Sequence, residues 1–122
     1  MSDVVVRRAR ADELARAGEV TEAGYAADGY LVRPGGGYDE HYASQLRDAA
    51  ARDADSPVLV AVEGDDVVGA VTWCPPGSSL REVTDADDQG ELRMLAVAPD
   101  ARGRGIGAAL LDACLDAARA AG

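Results

Sequence analysis

Residues 102–107 of this 122-residue chain read Arg-Gly-Arg-Gly-Ile-Gly. Gly103, Gly105 and Gly107 carry no Cβ, so their amides can turn toward one point and a ligand can approach the backbone closely. A helix that starts in such a turn adds free N–H groups and the positive end of its dipole, and Arg102 and Arg104 add formal charge. The chemistry that suits these groups is the holding of an anion, a phosphate or pyrophosphate above all. A P-loop would need a Lys followed by Ser or Thr after its glycines, and the chain contains no Lys. The dinucleotide-binding fingerprint fits poorly too. Arg102 stands where its first Gly belongs, and no acidic residue follows about 20 positions on to close a second strand.

Two elements must position that turn. The preceding Glu91-Leu92-Arg93-Met94-Leu95-Ala96-Val97-Ala98 is mostly apolar and bounded by Pro99, which suits a largely buried strand. After Gly105, the apolar residues Ile106, Leu110, Cys114 and Ala118 recur at every fourth position, joined by Leu111 and Leu115, while Asp112, Asp116 and Arg119 fall on the other face. That pattern predicts an amphipathic helix.

Strand, turn and helix together are more specific than the glycines alone. Glu91 to Leu111 resembles the acetyl-coenzyme A binding core of the GNAT superfamily of N-acetyltransferases. The family signature, Arg or Gln, two residues, Gly, any residue, Gly or Ala, falls on Arg102, Gly105 and Gly107. The resemblance implies that the backbone from Arg102 through Gly103, Arg104, Gly105, Ile106 and Gly107 to Ala108 cradles the pyrophosphate of acetyl-coenzyme A. It also implies that Leu95 and Val97 pair with the pantetheine arm like an added strand, and that an N–H near Leu95 or Ala96 polarises the thioester carbonyl. Glu91, at the head of the strand, matches a general base that works through water; read from its residues alone it could equally be a solvated strand end. The implied fold is α/β (mixed α+β), a partial GNAT-like fold with an antiparallel-rich sheet in the order strand, helix, helix, three strands, helix. The implied function is acetyl transfer from acetyl-coenzyme A to an amine. The alternatives are a non-catalytic coenzyme A-binding module of the same fold and a small structural or interaction domain.

The rest of the chain can be taken in order. Val4 to Arg8 predicts an opening strand, and Leu14, Ala15, Val20 and Ala23 carry a helix toward Tyr25, weakened by Gly18 and Gly24. Tyr25, Tyr30, Tyr38 and Tyr42 surround Pro34-Gly35-Gly36-Gly37, a loop or lid between two helices. The resemblance puts this region beside the acceptor, so Tyr25 and Tyr30 become candidate substrate contacts, although Tyr25 and Tyr42 could merely pack with their hydroxyls in water. His41, the only histidine, reads as a surface residue of a helix spanning Asp39 to Asp53. Val58 to Glu63 and Val67 to Cys74, joined by Gly64-Asp65-Asp66, predict an antiparallel hairpin. Trp73 on its second strand reads as core or sheet surface and, by the resemblance, borders the substrate cleft. Residues 76–90 read as an acidic loop carrying Glu82, Asp85, Asp87 and Asp88.

Twenty-two acidic residues against twelve arginines give a net charge of −10. Residues 93–107 hold three arginines against Asp100, a local +2, which leaves −12 for everything else. Such a surface repels nucleic acid and anionic membranes and favours an amine-bearing small molecule or peptide. No run approaches the roughly 18 apolar residues of a membrane span, and the start lacks a targeting pattern, so a cytoplasmic location is expected. Cys74 and Cys114 form no metal or redox motif. The chain reads as a single domain over residues 1–122, without the fifth strand, fourth helix and last two strands that the resemblance implies. Leu92 to Val97 is too apolar for a bare sheet edge and has neither a bulge-making Gly nor an edge Lys. Catalysis is therefore expected to need a C-terminal fragment or a second copy of the chain.

Overall fold

A computed structural model describes residues 3–75 and 90–120. Four strands, β1 (Val4–Arg8), β2 (Val58–Glu63), β3 (Asp66–Cys74) and β4 (Glu91–Val97), form one sheet in sequence order, with every neighbouring pair antiparallel. Helices α1 (Leu14–Ala27), α2 (Glu40–Arg47), α3 (Ala49–Asp53) and α4 (Ile106–Ala120) cover it. This is the expected α/β architecture, and the element order is the expected one except that the second expected helix is split in two. The acidic loop at Glu82, Asp85, Asp87 and Asp88 lies outside the described residues.

Side-chain alternation along β3 assigns the faces. A Cβ on Gly69 would stand 3.0 Å from Leu110 and 3.1 Å from Ile106, so Gly69, Val71 and Trp73 look toward α4. Thr72 accepts a 3.1 Å hydrogen bond from the Arg52 guanidinium of α3, so Ala70, Thr72 and Cys74 look toward α1, α2 and α3. The main core fills the space under α1 and α4, with Val60, Ala61, Val71 and Leu110 all at most 1 % exposed. Ile106, Leu110 and Cys114 form the buried stripe of α4, as the four-residue spacing predicts. Leu111 and Leu115 do not join it; they remain 39 % and 45 % exposed.

The expected helix over Asp39 to Asp53 is two helices. At Asp48 the backbone leaves helical geometry (ψ 63°), and its carboxylate accepts from the Ala51 N–H to start α3, as Asp39 accepts from Tyr42 N–H to start α2. Arg52, 6 % exposed, reaches back across the break and donates to the carbonyls of Gln45 and Leu46, satisfying the end of α2.

β4 carries a bulge without a glycine. Thr72 pairs with Arg93 and Ala70 with Ala96, so Met94 and Leu95 together face Val71. Met94 takes φ 56°, a conformation costly for an L side chain, and its side chain is held in a second cluster with Leu31, Ala43 and Leu46. Burial of that side chain offsets the backbone cost of the bulge.

The glycines of α1 are there for close approach. A Cβ at Gly18 would lie 1.9 Å from the Arg47 carbonyl oxygen, and one at Gly24 would lie 2.9 Å from the Ala96 Cβ. Helix propensity is given up so that α1 can lie directly on α2 and β4. Gly18→Ala is expected to destabilise the fold by about 1–3 kcal/mol, despite the better helix propensity of Ala. Urea denaturation checks this, and an unchanged midpoint would mean that α1 and α2 are not in contact there.

Candidate functional site

The turn begins where β4 ends. Pro99 starts a short 3₁₀ turn, Pro99–Ala101, and the chain then passes Gly103 (φ 79°) and Gly105 (φ 78°), both in the left-handed region that favours glycine. The first α-helical hydrogen bond of α4 runs from Ala109 N–H to the Gly105 carbonyl at 3.0 Å. The N–H groups of Ile106, Gly107 and Ala108 therefore precede the helical ladder and form the positive end of a 15-residue helix.

Gly107 is the informative position. Its φ is ordinary, and a Cβ there would meet nothing closer than Val97 Cγ2 at 3.8 Å. Neither backbone strain nor packing within the chain demands a glycine, and in the first turn of a helix Ala would be better by up to about 1 kcal/mol. A Cβ at Gly103 or Gly105 would likewise meet nothing within 4 Å. The turn thus leaves open space where the side chains of these three positions would stand.

A cleft of about 610 Å³ opens beside it. One wall is the turn, with Arg102, Gly103, Gly105, Ile106 and Gly107; the floor is Leu95, Ala96 and Val97 of β4; the far wall is Gly24, Tyr25 and Asp28 of α1 with Tyr30 and Tyr42. Ala96 pairs with Ala70 on the α1 face, whereas Val97 lies on the α4 face with Gly107, so the cleft passes over the edge of β4. Ala98 N–H donates to the Val68 carbonyl at 2.8 Å. Antiparallel alternation then turns the N–H and C=O of Val97 away from β3, toward the cleft.

Both arginines of the turn are engaged. Arg102 donates to Asp28 Oδ1 at 2.6 Å, to Oδ2 at 3.2 Å and to the Gly24 carbonyl at 3.0 Å. Its guanidinium holds the Asp28 carboxyl below the usual 3.8, so the pair is fully ionised at neutral pH. Arg104 pairs with Glu63 at the end of β2, and that carboxyl is likewise lowered. The arginines therefore brace the turn, and the backbone amides of its glycines are left uncovered by their own side chains.

The other sequence candidates are distributed as follows. Tyr25, Tyr30, Leu95, Ala96, Val97, Arg102, Gly103, Gly105, Ile106 and Gly107 share the cleft; Arg104, Ala108, Glu91 and Trp73 do not line it. Glu91 opens β4 opposite Cys74, so it faces the same side of the sheet as α1, with Arg93 Nε 4.0 Å from its carboxylate. Trp73 lies on the α4 face, where its ring packs across Gly90, so the sheet separates it from the tyrosines. His41 is exposed on α2. Tyr38 is 46 % exposed and donates to Glu22, which pushes its pKa up to about 12. Asp28 and Gly24 were not foreseen; the only sequence signal was a glycine inside a helix, which marks close approach without naming the neighbour.

A family model described as the acetyltransferase (GNAT) family matches residues 25–122. The chain belongs to the GNAT family of acetyltransferases. No curated protein sequence matches it. Among solved structures it is similar to a GNAT family acetyltransferase from Brucella melitensis in complex with acetyl-CoA, at 23 % identity and TM-score 0.70, over 100 % of this chain and 72 % of that one. It is also similar to a GCN5-related N-acetyltransferase from Rhodopseudomonas palustris, at 24 % identity and TM-score 0.72, over 98 % of this chain and 68 % of that one. A ribosomal-protein-alanine N-acetyltransferase from Brucella melitensis is 27 % identical with TM-score 0.61, over 94 % of this chain and 67 % of that one. The GNAT fold is therefore present over the described residues.

The three glycines of the turn should separate on substitution. Gly103→Ala and Gly105→Ala are each expected to lose about 1–2 kcal/mol because a Cβ is strained at their φ, whereas Gly107→Ala should be neutral or gain up to about 1 kcal/mol. Chemical denaturation of the three variants checks this ordering. A loss at Gly107 as large as at Gly105 would mean that Gly107 serves the fold and not a ligand.

Proposed function

We propose that this GNAT chain carries the cosubstrate site and general base of an N-acetyltransferase that moves an acetyl group from acetyl-coenzyme A to an amine. The observation that carries the proposal is the open cradle at Gly107, with the free edge of β4 beside it in one cleft. Acetyl-coenzyme A bound there would supply an activated acetyl thioester. The amides from Gly103 to Ala108 would hold its pyrophosphate, charge against dipole, in the part of this acidic chain where positive groups gather. The outward N–H and C=O of Val97, with Leu95, would pair with the amide-bearing pantetheine arm as an added strand. An N–H at the Met94–Leu95 bulge, where the strand no longer follows the regular ladder, is the group that would polarise the thioester carbonyl.

An amine attacks only after losing its proton. Glu91 would take that proton through water, since it sits on the acceptor side of the sheet yet does not line the cleft itself. The edge of β4, which pairs with no further strand among the described residues, and the exposed Leu111 and Leu115 further support a covering surface, supplied by additional polypeptide or by a second copy, as part of the working enzyme. No helix among the described residues is long and apolar enough to cross a membrane, and we place the reaction in the cytoplasm.

Two variants test the proposal in complementary ways. Gly107→Leu should keep the fold and weaken coenzyme A binding about tenfold or more by calorimetric titration, because its side chain enters the cradle. Glu91→Gln should lower turnover about 10²-fold at neutral pH while leaving coenzyme A affinity nearly intact. A parent that binds no coenzyme A would overturn the first part. Unchanged turnover in Glu91→Gln would remove Glu91 from the chemistry.

A further inference from the structure

The far wall of the cleft has a geometry that the binding of coenzyme A does not explain. Tyr25, Tyr30 and Tyr42 all line it. The ring centre of Tyr25 is 5.6 Å from that of Tyr30 with the planes 55° apart, and 6.0 Å from that of Tyr42 with the planes 75° apart. Parallel stacked rings would cover one another's faces. Rings steeply inclined to a shared neighbour instead form a corner, and the outermost, Tyr30, is 67 % exposed. Tyr25 and Tyr42 also pack against Leu31, Ala43, Leu46 and Met94, and burial pushes the Tyr25 phenol up, so the corner is aromatic and neutral rather than a phenolate.

Ring faces attract cations within about 6 Å of their centres. The chain as a whole favours the same charge, at −10 overall, while in the cleft itself Asp28 is matched by Arg102. The cations felt by Tyr25 are Arg93 and Arg52. Arg52 is turned into the carbonyls of Gln45 and Leu46, and Arg93 lies beside Glu91.

A corner that stabilises positive charge cannot hold the amine that reacts. It would raise that amine's pKa and oppose the loss of the proton that must precede attack. We infer that Tyr25, Tyr30 and Tyr42 form the acceptor's specificity pocket and receive a second, non-reacting cationic group, so that the acceptor is a small molecule with two basic nitrogens. This rests on the acetyl-transfer reading for the role of the acceptor, while the cation site itself stands on ring geometry.

The test has a binding arm and a turnover arm. Tetramethylammonium titrated into the protein should shift tyrosine ring resonances saturably in NMR spectra, whereas tert-butanol, similar in shape but uncharged, should not. Tyr30→Phe, which keeps the ring, should retain the response, and Tyr30→Leu should weaken it at least about fivefold. In the turnover arm, kcat/KM for diaminobutane should exceed that for butylamine about tenfold. Equal responses to the two probes, or an unchanged response in a folded Tyr30→Leu, would overturn the cation site. Saturable tetramethylammonium binding without acetylation of any amine would leave the site standing and remove the acetyl-transfer reading. Acetylation of both amines at equal rates, with no cation binding, would do the reverse.

Discussion

The guanidinium of Arg102 joins the two walls of the cleft. Through its bonds to Asp28 and the Gly24 carbonyl it ties the end of α1 to the turn before α4, elements 74 to 78 residues apart in sequence. Directly beneath, Gly24 lets α1 come down onto Ala96 of β4. An exposed ion pair by itself contributes about 0–1 kcal/mol. Here its consequence is geometric: the close approach at Gly24 sets how near the walls can come, and the bidentate pair sets the angle at which the turn faces them. Tyr25 follows Gly24 in the helix, so the same contact also fixes the tyrosine corner.

This arrangement resolves an electrostatic difficulty. A chain of net charge −10 is a poor host for a pyrophosphate, and the two arginines of the turn are already matched by Asp28 and Glu63. What remains for an anion is dipolar: amides at the start of α4, unscreened by side chains because the glycines leave them bare. Dipoles fixed in place need no reorganisation on binding. Under the proposed function, the acidic remainder of the surface would act on the other substrate, drawing in cations that the anion site would repel. One chain can thus hold an anion and a cation in adjoining parts of a single cleft.

Much of this was legible in the sequence. The Arg102–Gly107 spacing, the apolar run of β4 and the four-residue stripe Ile106, Leu110 and Cys114 each carry a local signal, and each stands where its period places it. What escaped was non-local. Asp48 is a good helix cap, but only the buried return of Arg52 onto Gln45 and Leu46 ends α2 there. Met94 gives no hint of a left-handed conformation; the register of β3 against β4 and the pocket among Leu31, Ala43 and Leu46 impose it. Leu111 and Leu115 fit an apolar stripe on paper, yet the sheet is reached by only one side of α4. The ion pairs of Arg102 with Asp28 and of Arg104 with Glu63 escaped because those partners lie far away in sequence.

Amide-resolved NMR of the isotope-labelled protein, titrated with coenzyme A, shows whether the β4 edge and the α4 N-terminus form one cosubstrate site. Saturable shifts that share one dissociation constant are expected at Val97, Ile106 and Gly107, with amides of β1 such as Val5 unmoved. Shifts confined to the turn with Val97 unaffected, or none at all, would contradict a single site.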